Sequence, residues 1–403
     1  MKLSALLCTF LLHSLILQAQ VNELDVSGYS LIPISGQGNQ GAKAIDIDND
    51  GDLDIFVVRA FQQDFVLEND GTGSFYVIPD TAVWQISGGS YDAVIIDVNT
   101  DGYDDVVISR SPENGGSSVE AIDESGREQL LINNGDGTFV DKGNNFPVDI
   151  SGLVNTNQFN YGTGIASGDF NGDAIPDFII CNGAVQMLSV PQVIKNAVSS
   201  AFWCGGMWRI LQNDLYLSNG IVDGDGIPFY DEPLLSTSGI TYSDISTDVA
   251  VADFDQDGYD DIFICNYFHP VVSPFLLTDD NAHLNKLYLN NTSSPGQFSW
   301  DTADFLPENI KYPATSVDVD DVNGDGYPDL VMTQDSRVGA GYEYARTRLF
   351  INDGTGTLVD STNQYLFTTD SLNYVGFEAN FADLNSDGRK DIFVFGQRNK
   401  VFI

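Results

Sequence analysis

Six nine-residue segments set carboxylate and amide side chains at the same intervals: DIDNDGDLD at 46, DVNTDGYDD at 97, DFNGDAIPD at 169, DFDQDGYDD at 253, DVNGDGYPD at 321 and DLNSDGRKD at 383. They share the form D-x-[DN]-x-D-[GA]-x-x-D. Oxygens at positions 1, 3 and 5, a sharp turn at position 6 and a further carboxylate at position 9 make a cage for a hard cation. The candidate ligands are Asp46, Asp48, Asp50 and Asp54; Asp97, Asn99, Asp101 and Asp105; Asp169, Asn171, Asp173 and Asp177; Asp253, Asp255, Asp257 and Asp261; Asp321, Asn323, Asp325 and Asp329; and Asp383, Asn385, Asp387 and Asp391. The carbonyl of position 7 would complete each set. Ca²⁺ takes about 6–8 oxygens at roughly 2.3–2.6 Å with tolerant geometry, whereas Mg²⁺ demands a tighter octahedron. Zinc wants nitrogen or sulfur, which these segments lack. The expected cofactor is Ca²⁺, one ion for each of the six segments.

Asp, Asn and Gly also build tight turns without a metal, through side-chain to backbone hydrogen bonds. Three or four carboxylates in one turn, however, repel one another unless a cation sits among them. Ala174, in place of glycine, sets the third segment apart. A helix-loop-helix calcium site opens the same way but closes with Glu at position 12. Here position 12 is Val57, Ile108, Ile180, Ile264, Met332 or Val394, each inside a short apolar run such as IFVV, FIIC or LVMT. The loops are therefore expected to join two antiparallel strands.

A second signal follows most loops: FVLENDGTGSF at 65, LLINNGDGTF at 130, LYLSNG at 215, LYLNNT at 287 and LFINDGTGTL at 349. Each reads as a β-hairpin, which makes four strands per repeat. The stretch IVDGDGIPFYD at 221 looks similar to a metal loop, but Ile221 and Phe229 occupy positions 1 and 9, so a widened hairpin turn is expected. With these residues in view, the chain resembles the FG-GAP or VCBS repeat family, known from integrin α-subunit propellers and secreted bacterial proteins. YGTGIASGDFNGDAIPDFII at 161 carries the resemblance best, with the family's aromatic-Gly start, Gly-Asp entry and calcium loop. The Gly-Ala-Pro ending of that family is missing, as in CNG at 181. The resemblance implies an all-β fold, a β-propeller of four-stranded antiparallel blades, and transfers the calcium ligands position by position.

Motif starts lie 51, 72, 84, 68 and 62 residues apart, and the two chain ends together make up one more short repeat. Six blades are expected, with seven as the alternative if a motif-less repeat lies within 183–246. The final NKVFI reads as a third strand and VNELDVSGYSLIPI at 21 as a fourth, so the termini would share a blade and close the ring. The expected organisation is a signal peptide over 1–20 and one propeller domain over 21–403. Lys2, the apolar run from Leu3 to Leu17 and Ala19 carry the signal reading, with a membrane anchor as the alternative. The destination expected is secretion or the cell surface, or else the periplasm. Cys181, Cys204 and Cys265 remain after the signal; Cys181 and Cys265 fall at matching repeat positions, as buried small hydrophobes do, and a Cys181–Cys204 bond is the other option.

A formal charge of −41, from 17 Lys plus Arg against 58 Asp plus Glu, repels phosphate backbones and anionic headgroups. Nucleic acid and membrane insertion of the mature chain are excluded as roles. Connections between second and third strands emerge opposite the metal loops and are long at 110–128, 183–213, 266–285 and 334–347, which places the ligand face there. Phe202, Trp203, Trp208, Tyr267, Phe268, His269, Tyr342 and Tyr344 lie in these insertions, either to stack on a partner or to form a satellite core as in AFWCGGMWRIL. Only His269 and His283 follow the signal, and there is neither HExxH nor a nucleophile-elbow serine. The expected function is a noncatalytic recognition or adhesion module for an extracellular protein or glycan. The alternative is a calcium-dependent polysaccharide lyase or glycoside hydrolase on the same scaffold.

Overall fold

The computed structural model describes residues 39–59, 63–71, 75–78, 89–111, 128–146, 162–182, 184–187, 200–203, 206–210, 214–230, 246–266, 285–300, 314–334, 347–366, 376–382, 390–396 and 400–402. Its strands form antiparallel sheets, and in four of them four consecutive strands lie side by side in chain order. The first sheet runs Asn39–Ile45, Asp54–Arg59, Phe65–Asn69 and Phe75–Val77. The second runs Gly89–Ile96, Asp105–Ser111, Gln129–Asn133 and Phe139–Asp141. The fourth and fifth repeat this order with Ser246–Ala252, Asp261–Asn266, Lys286–Asn290 and Phe298–Trp300, then Ala314–Asp320, Asp329–Gln334, Thr347–Asn352 and Leu358–Asp360.

The third sheet comprises Gly162–Gly168, Asp177–Asn182 and Asp214–Tyr216, and its chain continues past Leu217 into the hairpin Ser218–Val222 and Pro228–Tyr230. The expected widened turn is thus present, closed by Asp223 N–H donating to Ile227 O and Gly226 N–H to Asp223 O. The sixth sheet has Gly376–Ala382, Asp391–Gly396 and Lys400–Phe402. In the insertion of the third repeat, Ala184–Met187, Ser200–Trp203 and Gly206–Ile210 pair as a separate three-stranded sheet, so Phe202, Trp203 and Trp208 sit on strands. Tyr267, Phe268, His269, His283, Tyr342, Tyr344, Cys204 and residues 1–38 lie outside the described residues.

The second strands explain the sheet stacking. DIFICN at 261 and DLVMTQ at 329 are buried along their whole length, so both faces of each sheet meet apolar neighbours. Phe56 and Val58 pack with Ala93, Val106 and Ile108 between sheets one and two. Phe254, Phe263 and Leu287 pack with Val317, Leu330 and Met332 between sheets four and five. Similar layers join sheets two and three around Phe146 and Phe178, three and four around Phe170 and Ile262, and five and six around Val331 and Ile392. First strands of successive sheets lie side by side, in the order one through six. Each first strand carries a bulge just after its start, at Asn39/Gly41, Ser90/Asp92, Ser246/Asp248, Ala314/Ser316 and Gly376/Glu378, with the matching irregularity of sheet three opposite Cys181/Asn182. Cys181 and Cys265 are buried free thiols, as their matching positions anticipate, and Cys181 is not half of a bridge.

Candidate metal centres

Every described loop lies between the first and second strands of its sheet, and loops one to five fold in one way. Position 1 accepts two backbone N–H groups across the turn: Asp253 Oδ1 takes Asp257 N–H at 3.0 Å and Oδ2 takes Gly258 N–H at 2.9 Å. Asp46, Asp97, Asp169 and Asp321 make the equivalent bonds. Position 5 accepts the N–H two residues on, as in Asp101 to Tyr103 at 3.0 Å and Asp325 to Tyr327 at 2.9 Å. Two left-handed residues make this path possible: position 4 has φ of 58° at Asn49, 59° at Thr100 and 57° at Gln256, and position 6 has 89° at Gly51, 92° at Gly102 and 94° at Gly258. Ala174 adopts the same region at 65°, so the third loop keeps the fold of the others.

In loops one and four the turn converges three of the four side chains that the spacing singled out. Carboxylate oxygens of Asp46, Asp48 and Asp50 lie within 4.8 Å of one another, as do those of Asp253, Asp255 and Asp261. Where position 3 is Asn, it faces position 5: Asn99 Nδ2 donates to Asp101 at 2.9 Å and Asn323 Nδ2 to Asp325 at 2.9 Å. In loop three, Asn171 Oδ1 accepts Asp173 N–H at 2.9 Å, and Ser218 Oγ donates to Asp173. Burial and the neighbouring Asp50 and Asp257 charges push Asp48 and Asp255 above the usual carboxylate range. Among the described residues, no Lys or Arg pairs with positions 1, 3 or 5 of loops one to five. The Asp223–Asp225 turn differs, because Lys142 Nζ sits between its carboxylates at 2.8 and 2.6 Å. Oxygen-only donors with no side-chain counter-ion fit a divalent hard cation. In the sixth loop Asp383, Asn385 and Asp387 lie outside the described residues, and Asp391 is buried at the start of its strand.

Position 9 does more than face the turn. Asp54, Asp105, Asp177, Asp261 and Asp329 are buried, with Oδ2 accepting the N–H of position 2 at 2.8–3.1 Å. Their Oδ1 accepts the N–H of Asn69, Asn133, Asn290 or Asn352 at the end of the third strand, or of Ser218 just past it, at 2.6–2.9 Å. Burial outweighs these bonds and raises the carboxyls to about 6 at Asp54 and Asp329, about 7 at Asp105 and Asp177 and about 8 at Asp261. The third-strand Asn was not among the predicted site residues, although its recurrence in FVLEN, LLIN, LYLN and LFIN is visible in the sequence.

Two other polar groups escaped the motif. On the first strands, Lys43 Nζ pairs with Asp92 at 2.9 Å, and its charge also favours the ionised forms of Asp248 and Asp318. Asp92, Asp248 and Asp318 each accept a backbone N–H from the next sheet, at Ile165, Val317 and Phe381. At the opposite strand ends, Asp64 accepts Arg59 N–H at 2.7 Å and Ser90 Oγ–H at 2.6 Å, and burial lifts it to about 6. There Arg348 is buried and donates to Gln334 at 2.6 Å and Asp360 at 2.7 Å.

The loops and their sheets define a repeat protein of antiparallel four-stranded units. The chain carries FG-GAP-like repeats: residues 46–108 and 321–394 match the family model described as FG-GAP-like repeat. No curated protein matches this chain in sequence. Among solved structures it is similar to the V. cholerae biofilm matrix protein Bap1, at 14% identity and a TM-score of 0.37, covering 82% of this chain and 41% of that one. It is also similar to Trypanosoma rangeli sialidase in complex with sialic acid, at 10% identity and a TM-score of 0.46, covering 89% of this chain and 52% of that one. A mutant of Trypanosoma rangeli sialidase displaying trans-sialidase activity has 10% identity and a TM-score of 0.45 over the same shares, 89% and 52%. The chain thus spans about half the length, or less, of these structures. Among the described residues no helix is long and apolar enough to cross a membrane.

Proposed function

We propose that this chain is an exported calcium-binding β-propeller, a noncatalytic recognition or adhesion module for an extracellular protein or glycan. One observation supports the metal reading above the others: the same left-handed turn recurs in loops one to five, brings three carboxylate oxygens within 4.8 Å of one another in loops one and four, and has no cationic side chain among the described residues to neutralise positions 1, 3 and 5. The ligands are positions 1, 3, 5 and 9 of the six loops, and about six Ca²⁺ ions bind. Calcium then stiffens the turn that fixes the first strand against the second, and so sets the geometry at the far ends of the strands.

Six blades over 21–403, closed by 21–34 pairing with the strand Lys400–Phe402, is the architecture we favour, after removal of 1–20. Lys43 supports the ring, since it pairs with Asp92 on sheet two and its charge also acts on Asp248 and Asp318 of sheets four and five, as first strands around a common axis would allow. The second face of sheet one supports it too: Ile55, Val57 and Leu67 are buried in a cluster of sheet-one residues, where the sixth sheet would cover them. We place the ligand at the ends opposite the calcium loops, where the long second-to-third connections emerge.

Calorimetric titration of chelator-treated protein with Ca²⁺, followed by glycan and protein arrays at saturating calcium, tests the reading. Binding of about six ions and retention of a discrete ligand are expected. A protein that takes up no calcium would refute the metal sites, and cleavage of pectic or other polysaccharides with new reducing ends or unsaturated products would refute the noncatalytic role.

A further inference from the structure

The metal loops are not independent turns on a common scaffold. Asn290, at the end of the third strand of sheet four, donates its backbone N–H to Asp261 of loop four at 2.8 Å. Its side-chain Nδ2 reaches the preceding sheet and donates to Phe170 O, position 2 of loop three, at 2.9 Å. The N–H of Phe170 is in turn held by Asp177 of loop three at 2.8 Å. A continuous path of buried hydrogen bonds therefore runs from a ligand of one loop to a ligand of the next. Asn352 repeats the path from loop five to Phe254 O of loop four at 2.9 Å, and Asn133 repeats it from loop two to Ile47 O of loop one at 2.9 Å.

Position 8 adds a second tie at two of these junctions. Asp260 Oδ2 accepts the N–H of Asp169, position 1 of loop three, at 3.0 Å, and Asp104 Oδ2 accepts that of Asp46, position 1 of loop one, at 3.4 Å. Between loops four and five the additional tie is Gln256, whose Nε2 donates to Gly326 O. The junction of loops two and three is built differently. Ser218 stands where the other sheets have Asn, and its Oγ is directed to Asp173 and Asn171 of its own loop. Position 8 there is Pro176, which has no carboxylate to offer. Sheets two and three are fastened instead away from the loops, by Lys142 to Asp223 and Asp225 and by Asn145 to the carbonyls of Ile227 and Pro228.

We propose that Asn133, Asn290 and Asn352 are positioning residues that couple neighbouring calcium loops, so that binding is linked within loops one and two and within loops three, four and five, but not between two and three. An ion orders positions 1 to 9 of its loop; the Asn transmits that order because its amide must meet the next loop's position-2 carbonyl or leave a buried acceptor unpaired. The proposal rests on the calcium reading above.

Calorimetric Ca²⁺ titrations of the full chain and of Asp253→Asn, Asp97→Asn and Asn290→Asp test it. Asp253→Asn should abolish its own site and weaken the sites of loops three and five, each by roughly tenfold. Asp97→Asn should abolish one site and weaken only that of loop one. Asn290→Asp fills the same volume and keeps the bonds accepted from Asn291 and Gly296, but turns the donor that faces Phe170 O, and Asp260 O of its own loop, into an acceptor. It should weaken loop three, to which it contributes no ligand, and remove the effect of Asp253→Asn on that loop. Loss of one site in Asp253→Asn with all others at wild-type affinity overturns the coupling while leaving the metal sites intact. An unmodified chain that binds no calcium overturns both. The comparison of the two position-1 variants decides the matter even if Asn290→Asp does not fold.

Discussion

Ala174 offers a sharp test of whether the left-handed turn is a real constraint. Position 6 is Gly in loops one, two, four and five, with φ of 88–94°, and Ala174 adopts φ of 65° in loop three. A side chain with Cβ costs about 1–2 kcal/mol in this region. Glycine returns about 0.4–1 kcal/mol of that through the greater freedom of its unfolded chain. Ala174→Gly should therefore stabilise the folded protein by about 0.5–1 kcal/mol. The reciprocal change is available in loop four, where a Cβ on Gly258 would meet nothing within 4 Å, so Gly258→Ala reports conformation without a clash. It should destabilise by a similar amount. Urea unfolding at saturating calcium, with unchanged m-values, measures both. If Ala174→Gly is neutral or destabilising while Gly258→Ala costs nothing, the loops do not need the left-handed residue and the geometric basis of the cage is wrong.

Chelation with EDTA should lower the melting temperature by many degrees, since ligands held close by the fold repel without their ions; an unchanged melting curve would remove the metal argument. Asp253→Ala should lose one calcium equivalent and reduce stability by roughly 1–3 kcal/mol; an unaltered stoichiometry would show position 1 is no ligand. In chelator, stability should fall as pH rises from about 4 to 6, because Asp64 and Asp318 both titrate near 6 when folded, above the ordinary carboxyl value of 3.8. The folded state then binds more protons than the unfolded one across that window. Asp64→Asn should flatten the urea-derived profile by on the order of 1–3 kcal/mol, and an unchanged slope would refute the shift.

The local chemistry of the loops was legible in sequence because it is local. Positions 1 to 9 lie in one turn, so their spacing alone predicts which oxygens converge, and Asp46, Asp48 and Asp50 do so. The strand order was legible for the same reason: apolar runs such as IFIC follow each loop at once, and hairpin residues close the third strand on the fourth. What lies between sheets was not. Asn290 reads as one more hairpin residue until Phe170, 120 positions earlier, is found against its amide. Lys43 carries no motif at all, and only the packing of first strands brings Asp92 to it. In the insertion at 183–213 the aromatics stand out in sequence, whereas its register, with Gln186 opposite Trp208 and Phe202 opposite Met207, is set by pairing that composition does not encode.

These cases bear on how a chain of charge −41 stays folded. Its aspartates divide into two populations by what meets their oxygens. Positions 1, 3 and 5 are half-buried or exposed and bond mostly within their own turn, which leaves their charges facing one another. Asp92, Asp248, Asp260 and Asp318 each reach across a sheet boundary to a backbone N–H group of the neighbouring sheet. Position 9 combines the cage with backbone bonding inside its own sheet, since Asp261 converges with Asp253 and Asp255 while also accepting the N–H groups of Phe254 and Asn290. That double role means removal of a position-9 carboxylate should cost more stability than removal of position 1 in the same loop, even in chelator. Its loss strands two buried N–H donors whether or not an ion is bound, whereas position 1 strands only donors that water can reach.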